Sequence, residues 1–275
     1  MKILVTGAAG MIGSHLVKSL KKRGYKVIGL DIREAEEVFV CDLGKKEKLE
    51  KIVKNKKMDR IIHLAALAHA VSGKKYTRKM YEYSNIECAK NVFNVARDNK
   101  IPVLFISTVD VFGFQKGIVD TQTECRPITI YGKTKYEAEQ LLRNSGANYT
   151  IFRLSPVYSE DEKRDIQKRI YLRYPNWAYQ IGKNTQYEVL HLDKAIEEMI
   201  KWCGSKPKNE IRIIKDEQPM NSVDYIEKEK TLGKAKHVVK IPRWLATLGY
   251  VVLRITGKNK YTFLLNKAIN PLRSE

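Results

Sequence analysis

Residues 2–13 read KILVTGAAGMIG, and no other stretch of the chain limits its fold as strongly. Ile3, Leu4, Val5 and Thr6 make a short apolar and β-branched run suited to a buried strand. Gly7, Gly10 and Gly13 follow at three-residue spacing, and Ile12, Leu16, Val17 and Leu20 then recur at helical spacing. Strand, glycine turn and helix in this order are the context that a dinucleotide fingerprint requires. Glycine allows a tight turn and close approach of the backbone, and a helix N-terminus presents N–H groups and partial positive charge to a pyrophosphate. Cofactor contacts are therefore expected at Gly7, Gly10, Met11, Ile12 and Gly13. The competing reading is a glycine-rich turn in a fold that binds no cofactor.

A second strand, Tyr25 to Leu30, ends at Asp31, 18 residues after Gly13. An acidic residue near that distance meets the adenosine ribose 2′-hydroxyl. Asp31 argues for NAD because it would repel a 2′-phosphate, while Arg33, two residues on, keeps NADP open.

Strands are expected at 2–6, 26–30, 37–40, 60–64, 102–107 and 149–154, and helices at 11–23, 45–55, 78–99 and 130–144. This alternation predicts a doubly wound parallel sheet with helices on both faces, an α/β class. The dinucleotide-binding domain is placed at 1–155, with 186–203 returning to it, and 156–275 is expected to form a smaller lobe with a basic tail. Within that lobe the sequence predicts a helix at 191–203, a strand at 210–214 and an apolar helix at 241–256.

Composition narrows the classes. A net charge of +20 raises nucleic acid, anionic membranes and anionic small substrates as partners. The lysines are dispersed rather than interleaved with aromatics, and no nucleic-acid-binding signature is present, so a solvated basic surface and no specific nucleic acid are expected. Cys41, Cys88, Cys125 and Cys203 are scattered, which predicts neither a disulfide framework nor a metal site and fits a reducing cytoplasm. The chain enters a strand at once, so no signal peptide is expected, and no apolar run reaches the roughly 18 residues a membrane span needs.

Tyr131 and Lys135 in YGKTK are four residues apart on one helix face. An ammonium beside a phenol favours the phenolate, which can exchange protons with an alcohol. Upstream, Ser107 and Thr108 end a predicted strand, and strand C-termini line the ligand crevice of a parallel sheet. A YxxxK pair arises often by chance; its place after this strand is what gives it weight.

Together these residues resemble the extended short-chain dehydrogenases/reductases, in the NAD-dependent nucleotide-sugar epimerase/dehydratase family. The matches are TGAAGMIG at 6–13, Asp31, CDL at 41–43, HLAA at 63–66, Asn85, STVDVFG at 107–113, YGKTK at 131–135, AE at 138–139 and FRLSPVY at 152–158. The resemblance implies a Rossmann-type fold with a small C-terminal substrate-binding lobe. It implies a catalytic triad of Thr108, Tyr131 and Lys135, adenine contacts at Asp42 and Leu43, further cofactor contacts at Leu64, Ala65, Ala66, Tyr131 and Ser155, and a nicotinamide-ribose bond from Lys135. It also implies a homodimer through the helices at 78–99 and 130–144. The chain departs from the family pattern at Phe112, where tyrosine is usual, and at Ser159, where glycine is usual. Val109 and Asp110 follow the catalytic threonine where dehydratases carry two acids, which argues against dehydration. Residues 159–185 hold little room for a full nucleotide-sugar lid, and the short chain, with ISTVDVFG at 106–113 and the compact segment between Asp31 and Asp42, also resembles the deoxysugar 4-ketoreductases.

Other residues have two readings each. His63 is expected to be structural, His69 is a substrate candidate, and Asn85 is expected to brace backbone. Arg153 either faces a phosphate or lies at the surface. Arg169, Arg173 and Lys183 are candidates for the diphosphate of a nucleotide sugar, because guanidinium forks match phosphate oxygens. Tyr171, Tyr174, Trp177 and Tyr179 either stack a substrate ring or pack the lobe. Residues 241–275 are expected to be buried in the lobe or in a subunit interface, with peripheral contact to an anionic membrane as the rival reading. The function expected is an NAD-dependent epimerase acting at C4 of a nucleotide-activated hexose. A 4-ketoreductase using NAD(P)H and a non-catalytic NAD-binding subunit are the alternatives.

Overall fold

The computed structural model describes residues 1–68, 76–115, 117–160, 164–172, 176–183, 185–257 and 259–275. Its central sheet contains β1 (Lys2–Thr6), β2 (Lys26–Asp31), β3 (Val38–Val40), β4 (Arg60–His63), β5 (Val103–Thr108) and β6 (Tyr149–Leu154). These strands are joined by parallel pairings in the order β3-β2-β1-β4-β5-β6. A strand at Glu210–Ile214 lies at the edge next to β6. The chain moves outward from β1 to β3, then returns to β4 on the other side of β1. That reversal opens a crevice at the C-terminal ends of β1 and β4, where ligands of parallel sheets bind.

Both sheet faces are covered, so the strands read as continuous apolar runs rather than as alternations. Ile3, Leu4, Val5, Ile61, Ile62, Val103, Leu104, Phe105, Ile151 and Phe152 are all fully buried. Helix α1 (Met11–Lys22) buries Gly13, Leu16, Val17 and Leu20. Helices α2 (Lys46–Lys56), α3 (Arg78–Glu82), α4 (Cys88–Asp98) and α5 (Ile130–Arg143) complete the layers of the first half. The single helix expected at 78–99 is interrupted by a π-helical turn at Tyr83–Glu87. Such turns occur mostly as single insertions in α-helices, and apolar periodicity across so short a defect barely changes.

The chain divides into two compact units. The first comprises 1–113, 125–154 and 193–212, and the second 114–124, 155–192 and 213–275. In the second unit, Trp177–Ile181 and His237–Ile241 pair in parallel, and helices α6 (Arg164–Ile170), α8 (Ser222–Thr231), α9 (Arg243–Ile255) and α10 (Asn259–Ile269) pack around them. Helix α7 (Leu192–Gly204) lies almost wholly in the first unit. The sequence reading left α8, α10 and the His237–Ile241 strand unassigned. His237–Ile241 holds only five residues, and its partner strand lies some 60 positions upstream, a distance at which local pattern carries no information. No described helix is long and apolar enough to cross a membrane.

The fingerprint glycines are demanded by packing. Gly7 sits at φ +73°, and a Cβ there would lie 2.7 Å from the Ala65 nitrogen. A Cβ at Gly13 would lie 2.1 Å from the Gly7 carbonyl oxygen. Gly204 has nothing within 4 Å. Gly13→Ala is therefore expected to cost about 1–3 kcal/mol in urea unfolding, the range for overpacking a tight site. Gly204→Ala should stay within about 0.5 kcal/mol.

Candidate active site

Helix α1 follows Gly10 at its N-cap, with no side-chain cap and no acidic residue in its first turn. That first turn holds Met11, Ile12 and Gly13, and its N–H groups are suited to an anion. The turn before it is pinned twice by the end of β2. Ala8 N–H donates to the Leu30 carbonyl at 3.1 Å, and Ala9 N–H donates to Asp31 Oδ2 at 3.0 Å. Asp31 is buried at the end of β2 and also accepts from the Arg33 backbone N–H at 3.0 Å and from Arg33 Nε at 3.1 Å. The Asp31 hydrogen bond holds the Arg33 guanidinium pKa above its ordinary value. Thus the two residues that argued for opposite cofactors form one ion pair, and Arg33 neutralises the carboxylate expected to meet the ribose.

Across the crevice, Leu64, Ala65 and Ala66 leave β4 half-buried. Leu64 N–H donates to the Thr6 carbonyl at 3.1 Å, and Thr6 Oγ1 lies 2.7 Å from His63 Nδ1. His63 is fully buried between Phe93 and Phe105, and burial, aided by Lys135, pushes its pKa down to about 3. It stays neutral at any physiological pH, consistent with a structural role. Asn85, buried in the π turn, clamps both backbone groups of Leu67 and donates to Thr134 Oγ1 at 3.0 Å. Asp42 accepts the Gly44 N–H at 2.9 Å and the Tyr83 hydroxyl at 2.8 Å, a bond that pushes the Tyr83 pKa up to about 12. Buried Leu43 offers its carbonyl to Asn91 Nδ2 at 2.9 Å.

Thr108 ends β5, and its Oγ1 accepts from the Asp110 N–H at 3.2 Å as the cap of the 3₁₀ turn Val109–Phe112. The first turn of α5, capped by Thr129, lies against that turn. A Cβ at Gly132 would be 2.7 Å from the Asp110 carbonyl oxygen. The glycine of YGKTK thus lets the Tyr131 turn approach the Thr108 segment. Tyr131 is half-buried one turn before Lys135. Lys135 is buried, with Nζ 3.9 Å from the centre of the Phe105 ring. Burial pushes its pKa down to about 7, and Glu139, one turn further on, opposes the shift.

Glu139 is itself fully buried. It takes a hydrogen bond from Ser107 Oγ on β5 and pairs with Arg153 on β6, Nη2 to Oε2 at 2.7 Å. Arg153 is buried too, with its guanidinium 4.9 Å from the centre of the Phe112 ring. Neither sequence reading of Arg153, phosphate contact or surface residue, describes this carboxylate partner. The only signal for the network was the glutamate four residues after Lys135, which repeats the spacing of the YxxxK pair.

Ser155 follows β6, buried, with its N–H donating to the Ile214 carbonyl at 3.0 Å. Its Oγ and His63 Nε2 are buried and meet no hydrogen-bond partner among the described residues. In the second unit, the Arg169 guanidinium lies 5.4 Å from the centre of the Tyr187 ring, and Lys183 is exposed. Tyr171 donates to Glu229 Oε2 at 2.7 Å, and Trp177 stands partly exposed against His237. His69, Arg173 and Tyr174 lie outside the described residues.

The glycine turn, the uncapped helix and the buried Asp31 fit a dinucleotide. Burial of Lys135 makes a testable demand on stability. Between about pH 7 and 10.5 the unfolded chain holds this proton and the folded chain does not, so its contribution to stability rises with pH. Below pH 7 both states are protonated and the burial cost is felt in full. Lys135→Met is expected to raise the urea midpoint most at or below pH 7, with the gain shrinking toward pH 10. A gain independent of pH would contradict the buried-ammonium account.

A sequence model of the NAD dependent epimerase/dehydratase family matches residues 3–195. An uncharacterized UDP-glucose epimerase, YtcB, of Bacillus subtilis (strain 168) is 30% identical over 191 residues, 60% of each chain. A probable low-salt glycan biosynthesis reductase, Agl14, of Haloferax volcanii is 30% identical over 185 residues, 65% of this chain and 59% of that protein. The matched region thus spans about 60% of the length of these relatives. Among solved structures, the UDP-glucuronic acid 4-epimerase from Bacillus cereus in complex with NAD superposes with a TM-score of 0.72. It is 24% identical, with 88% of this chain and 87% of that one covered, a likeness of fold.

Proposed function

Because the chain belongs to the NAD-dependent epimerase/dehydratase family, we propose that it is a nucleotide-sugar 4-epimerase working through Thr108, Tyr131 and Lys135. The observation that carries this reading is the buried Lys135 one turn after Tyr131, on a helix whose first turn packs against the Thr108 segment. Gly7, Gly10, Met11, Ile12 and Gly13 would hold the diphosphate of NAD, Asp31 the adenosine ribose, and Asp42 and Leu43 would border the adenine. Leu64, Ala65, Ala66 and Ser155 would line the rest of the cofactor. Bound there, NAD would supply the acceptor and donor for a hydride of the sugar.

The protein's own groups handle the proton. Tyr131, as phenolate, removes the proton from a sugar hydroxyl and later returns it. The Thr108 hydroxyl donates to the oxygen as it becomes a carbonyl. Protonated Lys135 favours the phenolate, and the adjacent Glu139 carboxylate helps keep that proton in a buried site. Arg169 and Lys183, with His69 and Arg173, remain candidates for the substrate's diphosphate and sugar, and the second unit is read as the substrate lobe. Dimerisation through the helical segments at 78–99 and 130–144 belongs to the same proposal.

A 4-ketoreductase would use the same residues, and the resemblance to the Haloferax reductase favours it as the second reading. The test is to release and identify the nucleotide bound to the purified protein, then incubate the protein with UDP-glucose and UDP-glucuronic acid. Interconversion at C4 without net cofactor consumption is expected. Consumption of NADH or NADPH only with a 4-keto sugar would mean the reductase, and cofactor binding without either reaction would mean a non-catalytic subunit. Tyr131→Phe should lower kcat by about 10²–10⁴, the usual weight of a general acid–base group, and leave nucleotide content unchanged.

A further inference from the structure

Helix α9 is apolar on two sides, and only one of them is used. Ala246 is buried, and Tyr250 packs with Ile181, Ala268, Ile269 and Leu265. At about 100° per residue, Trp244, Leu245, Leu248, Val251, Val252 and Ile255 fall within roughly 120° of one another on the opposite side. All six are exposed, Trp244 to 69%, Leu248 to 54% and Ile255 to 80%. Isolated exposed apolar residues need no explanation, but a continuous row along one helix marks an interaction surface. Helix α10, packed beside α9, adds exposed Tyr261 and Leu264.

Charge identifies the partner. From Lys234 to Arg273 the sequence carries nine lysines and arginines and no acidic residue. Exposed Arg254 lies at the edge of the apolar row, Lys240 is exposed on the strand that leads into α9, and Lys236 is exposed just before that strand. A second copy of this face would set one basic surface against another. An anionic lipid bilayer offers both complements, negative headgroups and an apolar boundary. Basic residues near such a surface each contribute about 1 kcal/mol, and an amphipathic helix buries its apolar face in the interface. Tryptophan at the start of the row suits the headgroup level. With 13 residues, α9 is too short to span a bilayer, so it would lie in the membrane plane.

We propose that the exposed face of α9, with the basic segment around it, docks the protein peripherally on anionic membranes. This goes beyond the catalytic reading and does not rest on it.

The test is flotation of the full chain with vesicles of phosphatidylcholine alone and of phosphatidylcholine mixed with phosphatidylglycerol. Binding to the anionic vesicles is expected to exceed that to neutral ones by at least about tenfold and to weaken with added salt. The Leu248→Glu, Ile255→Glu double variant should lose that binding, while far-UV circular dichroism and bound nucleotide stay as in the parent. Equal binding to both vesicles, no binding to either, or undiminished binding by the variant would overturn the proposal. So would light scattering that finds a dimeric parent and a monomeric variant, which would make this face a contact between copies.

Discussion

The buried Glu139 carboxylate ties the candidate site together. A carboxylate out of water is tolerable only when its oxygens are paired, and here each partner comes from a different element. Ser107 approaches from β5 and Arg153 from β6, while Glu139 belongs to α5. Satisfying one charge therefore fixes the helix against two strands. Removing one member of such a pair typically costs about 3–5 kcal/mol, because the other is left charged and buried. Tyr131 and Lys135 lie on the same face of that helix at four-residue intervals, so they inherit its placement. Thr108 follows Ser107 directly and inherits the placement of β5.

The same network bears on chemistry. An ammonium above the Phe105 ring in a dry site is costly, and burial brings Lys135 to the verge of losing its proton near neutral pH. The neighbouring Glu139 charge opposes that loss. His63, beside the same lysine, is driven the other way from function: with its pKa pushed down to about 3, it packs as a neutral ring. At the far side of the crevice, Asp31 organises the glycine turn through the Ala9 N–H while Arg33 balances its charge. The candidate site thus rests on the buried charges of Asp31, Glu139 and Arg153, whose described partners belong to the first unit.

Much of this was legible in the chain. The run from Lys2 to Gly13, the acid at 31 and the YxxxK pair reveal themselves locally, because strand, turn and helix patterns repeat within a few residues. Six strands and four helices of the first half lie within a residue or two of where periodicity puts them, apart from the π turn around Asn85. The ion pairs were not legible. Arg153 reads as a strand residue of no definite role until Glu139 is seen beside it, and Arg33 reads as a rival to Asp31 until the two are seen bonded. In the second unit, α10 reads as a basic tail, and the strand at 237–241 waits on a partner far upstream.

What the sequence determined by itself was the class of the molecule: glycines at 7, 10 and 13 between a strand and a helix admit few folds, since packing and dihedral demands there are local. What only the tertiary structure decided was which charges are buried and which apolar residues are not. The apolar run of α9 predicts burial, and only the packed chain shows that one face meets the core and the other meets solvent. Burial and pairing are properties of neighbours brought from distant parts of the chain, and no local pattern encodes them.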